Sequence, residues 1–293
     1  MRNQEPMKPN PSFVLCATDF TPAANDAANV AARLARQRAE GLRLVHATDT
    51  TSTRALAETK KRLEAEAQRL RELGATVEPL LLEGMRPSDV LVERIRAERP
   101  TLVVVSSSVK GPLDRWAMGS FSERIAESSP VPTLVVRNPA VFENCDWSRD
   151  RLKVLLALDL HSTSDVVLRW AKAFRMSTPC DVVSCYVNRR MPTTDEAAVP
   201  PGRPVNPPEL QSRLERQVQK KLRDQIGDDA STVVVKPYFG DPGPCIAEIA
   251  GQVKAHLIAV GTHQRRGLSR LTQFSVSREL LHQAGTNVVC IPV

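Results

Sequence analysis

Aromatic side chains are scarce in this 293-residue chain, which holds three Trp, two Tyr and seven Phe, or 4% of its residues. A core with so few rings must be assembled from Val, Leu, Ile and Ala, which favours α/β layers over an aromatic-rich β-sandwich. Long apolar runs are missing too. No stretch reaches the roughly 18 apolar residues that a bilayer span requires, and the opening MRNQEPMKPNPS is polar rather than an export signal. Residues 1–10 read as a disordered lead-in, and the chain reads as cytoplasmic. The six cysteines (Cys16, Cys145, Cys180, Cys185, Cys245 and Cys290) are scattered, without the spacing of a disulfide framework or a zinc site. They read as buried free thiols in a reducing compartment. Cys180 and Cys185, across a strand start, do not read as redox partners. Also absent are a Gly-x-Ser-x-Gly elbow, a His-Glu-x-x-His helix and a Walker loop. The expectation is a protein that is not an enzyme and carries no metal.

What is present is ordinary for a folded protein: 42% apolar and 25% charged residues. The net charge of +7 is spread along the chain, which argues against a nucleic-acid partner. One stretch departs from this. Residues 262–278 contain Arg265, Arg266, Arg270 and Arg278 and no carboxylate, as solvated surface or as an anion site.

The decisive feature is a repeat. FVLCATDFTPAANDAANVAARLA (13–35) parallels KVLLALDLHSTSDVVLRWAKAF (153–174), placing Asp19 and Asp159 at 140 residues' separation. LVVVSSSVKGPLDRWAMGSFSERIAESSPVPTLVV (102–136) parallels LIAVGTHQRRGLSRLTQFSVSRELLHQAGTNVVCI (257–291), where Ser106 matches Gly261 and Ser120 matches Ser275 at 155. The 15-residue excess falls in the six-proline segment 191–208, which suits a surface loop. The division expected is 11–140 and 150–293, with a boundary segment at 138–150.

Within the first copy, strands are predicted at 13–18, 42–48, 76–82, 101–106 and 132–136, and helices at 22–38, 53–73, 87–97 and 119–128. Thr21 followed by Pro22 is a helix start. Leu210, Leu214, Val218, Leu222 and Ile226 repeat an amphipathic helix in the second copy. Apolar runs such as LVVV and LIAV suit strands buried on both faces. The fold class is therefore α/β: two repeated doubly wound domains, each with its own five-stranded, mostly parallel sheet in the order 3-2-1-4-5, flanked by helices. One continuous sheet would count against that picture.

In such sheets ligands bind beyond the carboxyl ends of the strands, where strand order reverses. Asp19 and Asp159 end the first strands, placed either to accept hydrogen bonds from a ribose or base or to cap a helix. The loop after the fourth strand leads into a helix N-terminus, a natural phosphate site. Among the histidines, His46 and His256 read as structural. His161 and His263 fall near Asp159 because the fold puts them there, with metal binding or acid–base chemistry as the lesser alternative.

These loops resemble those of the universal stress protein family, whose nucleotide-binding members carry Gly-x-x-Gly, nine residues, then Gly-Ser or Gly-Thr. The resemblance covers the chain twice over, apart from the lead-in and the proline-rich segment. It implies nucleotide contacts from Asp19, Val45, Ser106, Ser108, Gly119, Ser120 and Phe121 in the first copy. In the second it implies Asp159, Gly261, His263, Arg265, Ser275 and Val276. Both copies depart from the motif. Ser106 and Val109 replace the opening glycines of the first, while Gly119-Ser120 persists; in the second Gly261 persists, but Gln264 and Phe274 stand where glycines belong. A phenyl group at 274 is expected to hold a phosphate away, and Val109 less so. Lys110 and Arg115, and the arginines of 262–278, are the cations that would compensate.

The resemblance further implies pairing of the last strands, here 132–136 with 287–291 as an internal pseudo-dimer, with a homodimer left open. The functional expectation is a stress-response module that senses a ligand or binds a partner through degenerate nucleotide loops. The alternative is an ATP- or AMP-binding switch, with slow ATP hydrolysis at most, working mainly through the first copy. A third reading gives the clefts another lipid-like or anionic small molecule. No membrane partner is expected.

Overall fold

The computed structural model describes residues 12–107, 119–190, 205–227, 232–262 and 276–293. The lead-in 1–10 lies outside them.

The first half begins with β1 (Phe13–Ala17), apolar throughout and buried at four of five positions. Thr21 then accepts the Ala24 N–H as N-cap of α1 (Pro22–Gln37), with Pro22 in the first turn where its missing N–H costs nothing. Next come β2 (Gly41–Thr48), α2 (Thr53–Glu72), β3 (Val77–Glu83), α3 (Pro87–Glu98), β4 (Leu102–Ser106), α4 (Ser120–Ser128) and β5 (Thr133–Val136). A short helix, α5 (Ala140–Glu143), occupies the boundary segment. The second half repeats the alternation with β6 (Leu152–Leu158), α6 (Ser162–Ser177), β7 (Cys180–Arg190), α7 (Pro208–Ile226) and β8 (Thr232–Phe239). It closes with α8 (Pro242–Gln252), β9 (Leu257–Thr262), α9 (Val276–Gln283) and β10 (Asn287–Pro292). The proline-rich segment is not loop to its end, because Pro208 opens α7 from the first helical turn.

The strands lie in the order β3-β2-β1-β4-β5-β10-β9-β6-β7-β8. Each half thus runs third, second, first, fourth, fifth from its outer edge, and its internal pairings are parallel. The expected pairing of 132–136 with 287–291 is present: β5 pairs antiparallel with β10, and this joins the two five-stranded units into a single ten-stranded sheet without changing the order within either. The backbone N–H and C=O groups of an unpaired fifth strand would be exposed, and each half satisfies the other's. The outer strands β3 and β8 carry Pro79 and Pro237 mid-strand, which blunts both free edges.

At the join, Leu134 pairs with Val289. These residues stand 155 apart, the offset that relates Ser106 to Gly261, so the pseudo-twofold axis passes between them. Two apolar layers flank the sheet, and both are continuous across the join. One holds Leu34, Leu134, Phe142, Phe174 and Leu257; the other holds Ile125, Val135, Leu281 and Cys290. Phe142 of α5 is fully buried between the halves. The boundary segment is therefore part of the core.

Candidate functional site

The order reverses at β1, between β2 and β4, and again at β6, between β7 and β9. Adjacent loops depart to opposite faces there, leaving a crevice beyond each strand end.

In the second half this crevice is a cleft of about 300 Å³. Ala157, Leu158 and Asp159 end β6 and form its floor with Val260 and Gly261 of β9; Thr163, Ser164 and Val167 of α6 form one wall. Tyr186 and Val187 of β7, Pro242 and Ile246 of α8, and Val276 of α9 complete the lining. Two polar groups stand out in this apolar setting, Asp159 and Tyr186. Burial, and then the nearby Asp159 carboxylate, push the Tyr186 hydroxyl above its ordinary pKa, so it stays a neutral donor.

Asp159 also organises the turn into α6. Its Oδ1 accepts the His161 N–H at 2.9 Å and the Ser164 hydroxyl at 2.8 Å, and its own N–H reaches Ser164 Oγ at 2.7 Å. Asp19 does the same for α1, accepting the Thr21 N–H at 3.1 Å and the Thr21 hydroxyl at 2.6 Å. Oδ1 thus holds the turn at each aspartate, and Asp159 also belongs to the cleft lining. Asp159 meets the backbone of His161, not its ring, and His263 lies outside the described residues. Among the described residues no group of three or more His, Cys, Asp or Glu is placed to hold a metal ion.

Gly261 is a packing glycine. A Cβ there would stand 2.6 Å from Thr163 Cγ2, so a bare backbone lets β9 and α6 approach at the cleft.

The first half differs. Phe20, directly after Asp19, adopts a left-handed backbone (φ 61°) and stacks on His46 at 4.8 Å, with the Arg62 guanidinium 4.5 Å from its ring centroid. His46 Nδ1 donates to the Thr18 carbonyl at 2.7 Å. Its place in β2 is that of Tyr186 in β7, since Ala17 beside Val45 and Ala157 beside Cys185, the pairs one residue earlier, share the 140-residue offset. Val45 is 1% exposed and its carbonyl accepts the Thr18 N–H, so it offers no side-chain surface to a ligand. Ser106 is buried at the end of β4; Gly119 is the N-cap of α4, Ser120 is exposed in its first turn and Phe121 packs on the core.

The structure thus brings together Asp159, Gly261 and Val276. Ser108, Val109, Lys110 and Arg115 of the first loop lie outside the described residues. So do His263, Gln264, Arg265, Arg266, Arg270, Phe274 and Ser275 of the second. Thr163, Tyr186, Pro242 and Ile246 were missed. The signal for Tyr186 was the repeat, because residue 46 plus the offset falls on it.

The family model described as universal stress protein family matches residues 13–137 and again 151–292. The chain belongs to the universal stress protein family. A universal stress protein of Archaeoglobus fulgidus superposes over 96% of this chain and 98% of its own, with TM-score 0.69 and 14% identity, a likeness of fold. Another from that organism, solved in complex with dAMP, matches 42% of this chain and 96% of its own at TM-score 0.37 and 21% identity. A curated universal stress protein of Methanocaldococcus jannaschii is 32% identical over 68 residues, which is 23% of this chain and 39% of that protein's length. No helix among the described residues is long and apolar enough to cross a membrane. Within this universal stress protein, β1–β5 and their helices form one family unit and β6–β10 and theirs the other.

Proposed function

We propose that this universal stress protein is a cytoplasmic ligand-sensing module, divided at 11–140 and 150–293, and that the cleft of its second half takes the ligand. The observation carrying this reading is the 300 Å³ crevice at the β6 switch point, apolar on most sides and holding Asp159 and Tyr186. Its size and walls suit a flat apolar ring, with the two polar groups placed for hydroxyls or an amine. A nucleotide, ATP or AMP, is the ligand class that family membership favours. Its phosphates would face the N-terminus of α9 and the arginine-rich segment before it, where Gly261, His263, Arg265, Ser275 and Val276 are the proposed contacts. The alternative centred on Asp19, Ser106, Ser108, Gly119, Ser120 and Phe121 has the Phe20–His46 stack beside Asp19. That favours the second half as the principal site.

Calorimetry with ATP and with AMP tests the proposal. The expected result is saturable binding by the intact chain, weakened about tenfold or more in Asp159→Asn and Gly261→Val. The absence of saturable binding to either nucleotide would remove the nucleotide, and native mass spectrometry showing empty clefts would leave a protein-interaction module.

A further inference from the structure

We infer that the charged layer between α4 and α9 matches the first half to the second and sets each half against a copy of itself. This inference is independent of any ligand. The residues are Glu123 and Glu127 on α4, and Arg278 and His282 on α9. Arg278 Nε lies 2.8 Å from Glu123 Oε1 and 3.9 Å from Glu127 Oε1; His282 Nε2 lies 3.4 Å from Glu123 Oε1. Glu123 is mostly buried at 16% exposure, so its charge is poorly screened.

Their positions in the repeat make the arrangement more than a set of ion pairs. Glu123 corresponds to Arg278 and Glu127 to His282 at the 155-residue offset, and the buried residues agree: Ser122, Ile125 and Ala126 on α4 match Ser277, Leu280 and Leu281 on α9. Glu123 and Arg278 are thus equivalent residues that meet each other, as Leu134 and Val289 do in the sheet below. Where a twofold axis relates two identical surfaces, a residue beside it meets its own copy. Two first halves joined through β5 would bring Glu123 onto Glu123, with Glu127 on either side. Two second halves joined through β10 would bring Arg278 onto Arg278, flanked by His282. Four carboxylates would converge in the first case, and two guanidinium groups with two imidazoles beside them in the second. Opposite signs face one another only when the two different halves pair.

The apolar strands are no guide to partner, since Leu134, Val135, Val288 and Val289 are similar in shape and polarity. Discrimination by charge falls to the helix layer. The partner this surface fits is the other half of the chain, from the same molecule or exchanged with a second one.

Grafting within the intact chain tests this directly. Glu123→Arg/Glu127→His reproduces the contact of two second halves, and Arg278→Glu/His282→Glu that of two first halves. The quadruple variant exchanges the charges and restores opposite signs. In urea titrations at low salt, each double variant is expected to lose about five- to tenfold in its folding constant, and the loss to shrink in molar salt. The quadruple variant is expected within about threefold of the parent. Double variants that fail to fold while the quadruple folds would support the inference equally. A quadruple variant as unstable as the two doubles multiplied together, or unable to fold, would overturn it, as would double variants indistinguishable from the parent.

Discussion

Asn287 binds Asn138 from both ends, accepting its backbone N–H at 3.0 Å and donating to its carbonyl at 3.0 Å across the join of the two halves. The same side chain accepts the Arg137 N–H at 2.9 Å and donates to the His256 carbonyl at 2.9 Å, so the amide is fully used while the residue is 0% exposed. One buried amide thus ties the exit of β5 to the start of β10 and the entry of β9.

Replacing it isolates that contribution. Asn287→Leu keeps the volume and strands three backbone groups, the N–H of Arg137 and the N–H and C=O of Asn138, while the His256 carbonyl keeps the Thr286 hydroxyl; each stranded group costs roughly 1–3 kcal/mol when buried without a partner. The expected outcome is a loss of at least about 2 kcal/mol in urea titration, accompanied by faster amide exchange at Arg137 and Asn138. Unchanged exchange at those two amides would show that water or a shifted backbone replaces the clamp.

Gly261 makes a sharper steric prediction. Gly261→Ala places a methyl 2.6 Å from Thr163 Cγ2, and overpacking of this kind costs about 1–3 kcal/mol. Thr163→Ser removes the opposing methyl, so the double variant should recover most of the loss. Additive losses in a double-mutant cycle would contradict the contact.

The pH dependence runs through His256. Its Nδ1 accepts the Lys153 N–H at 3.1 Å, and burial, then the Lys153 charge, hold its pKa below the ordinary imidazole value. The unfolded chain therefore takes up the proton first. The contribution of His256 to stability is present at neutral pH and is lost as the pH falls below the unfolded value of about 6.5. Stability measured from pH 8 down to pH 5 should fall less steeply in His256→Asn than in the parent. Parallel curves would mean that the imidazole does not report the acid loss.

Thiol reactivity gives an inexpensive check on the core. Five of the six cysteines are buried and Cys145 is half-buried. Burial pushes Cys180 up to about 11 and Cys290 up to about 12, and raises Cys16 and Cys185 as well. Cys145 is raised too, by partial burial and then by Asp150 and Asp146, so it should react slowly for an accessible thiol. A native chain treated with an aromatic disulfide reagent should release one equivalent, and an unfolded chain six. Rapid reaction of a second thiol would place it at an opening of the fold. Cys180 and Cys185 belong to opposite apolar layers, which is the physical reason they are not redox partners.

Much of this was legible beforehand. The repeat marked Asp19 and Asp159 as equivalent strand ends, and the offset of the second motif pairs Leu134 with Val289. Other features were hidden because nothing local announces them. Thr163 belongs to the cleft through the bare Cα of Gly261, nearly a hundred residues away in sequence. Asn287 looks like a turn residue until β5 is laid against β10. Phe142 looks like linker until its ring is seen between the halves.

From residues alone follow the two α/β units, the strand and helix limits of the first to within a residue or two, and the Thr21 cap. Those properties arise from contacts within one turn of helix or one pleat of strand, so adjacent side chains suffice to specify them. The packing of Phe20 against His46 and the opening of the cleft at Asp159 were decided by tertiary structure. Each depends on which distant side chains fill the space beyond a strand end, and volume is settled only when all the elements around it have packed.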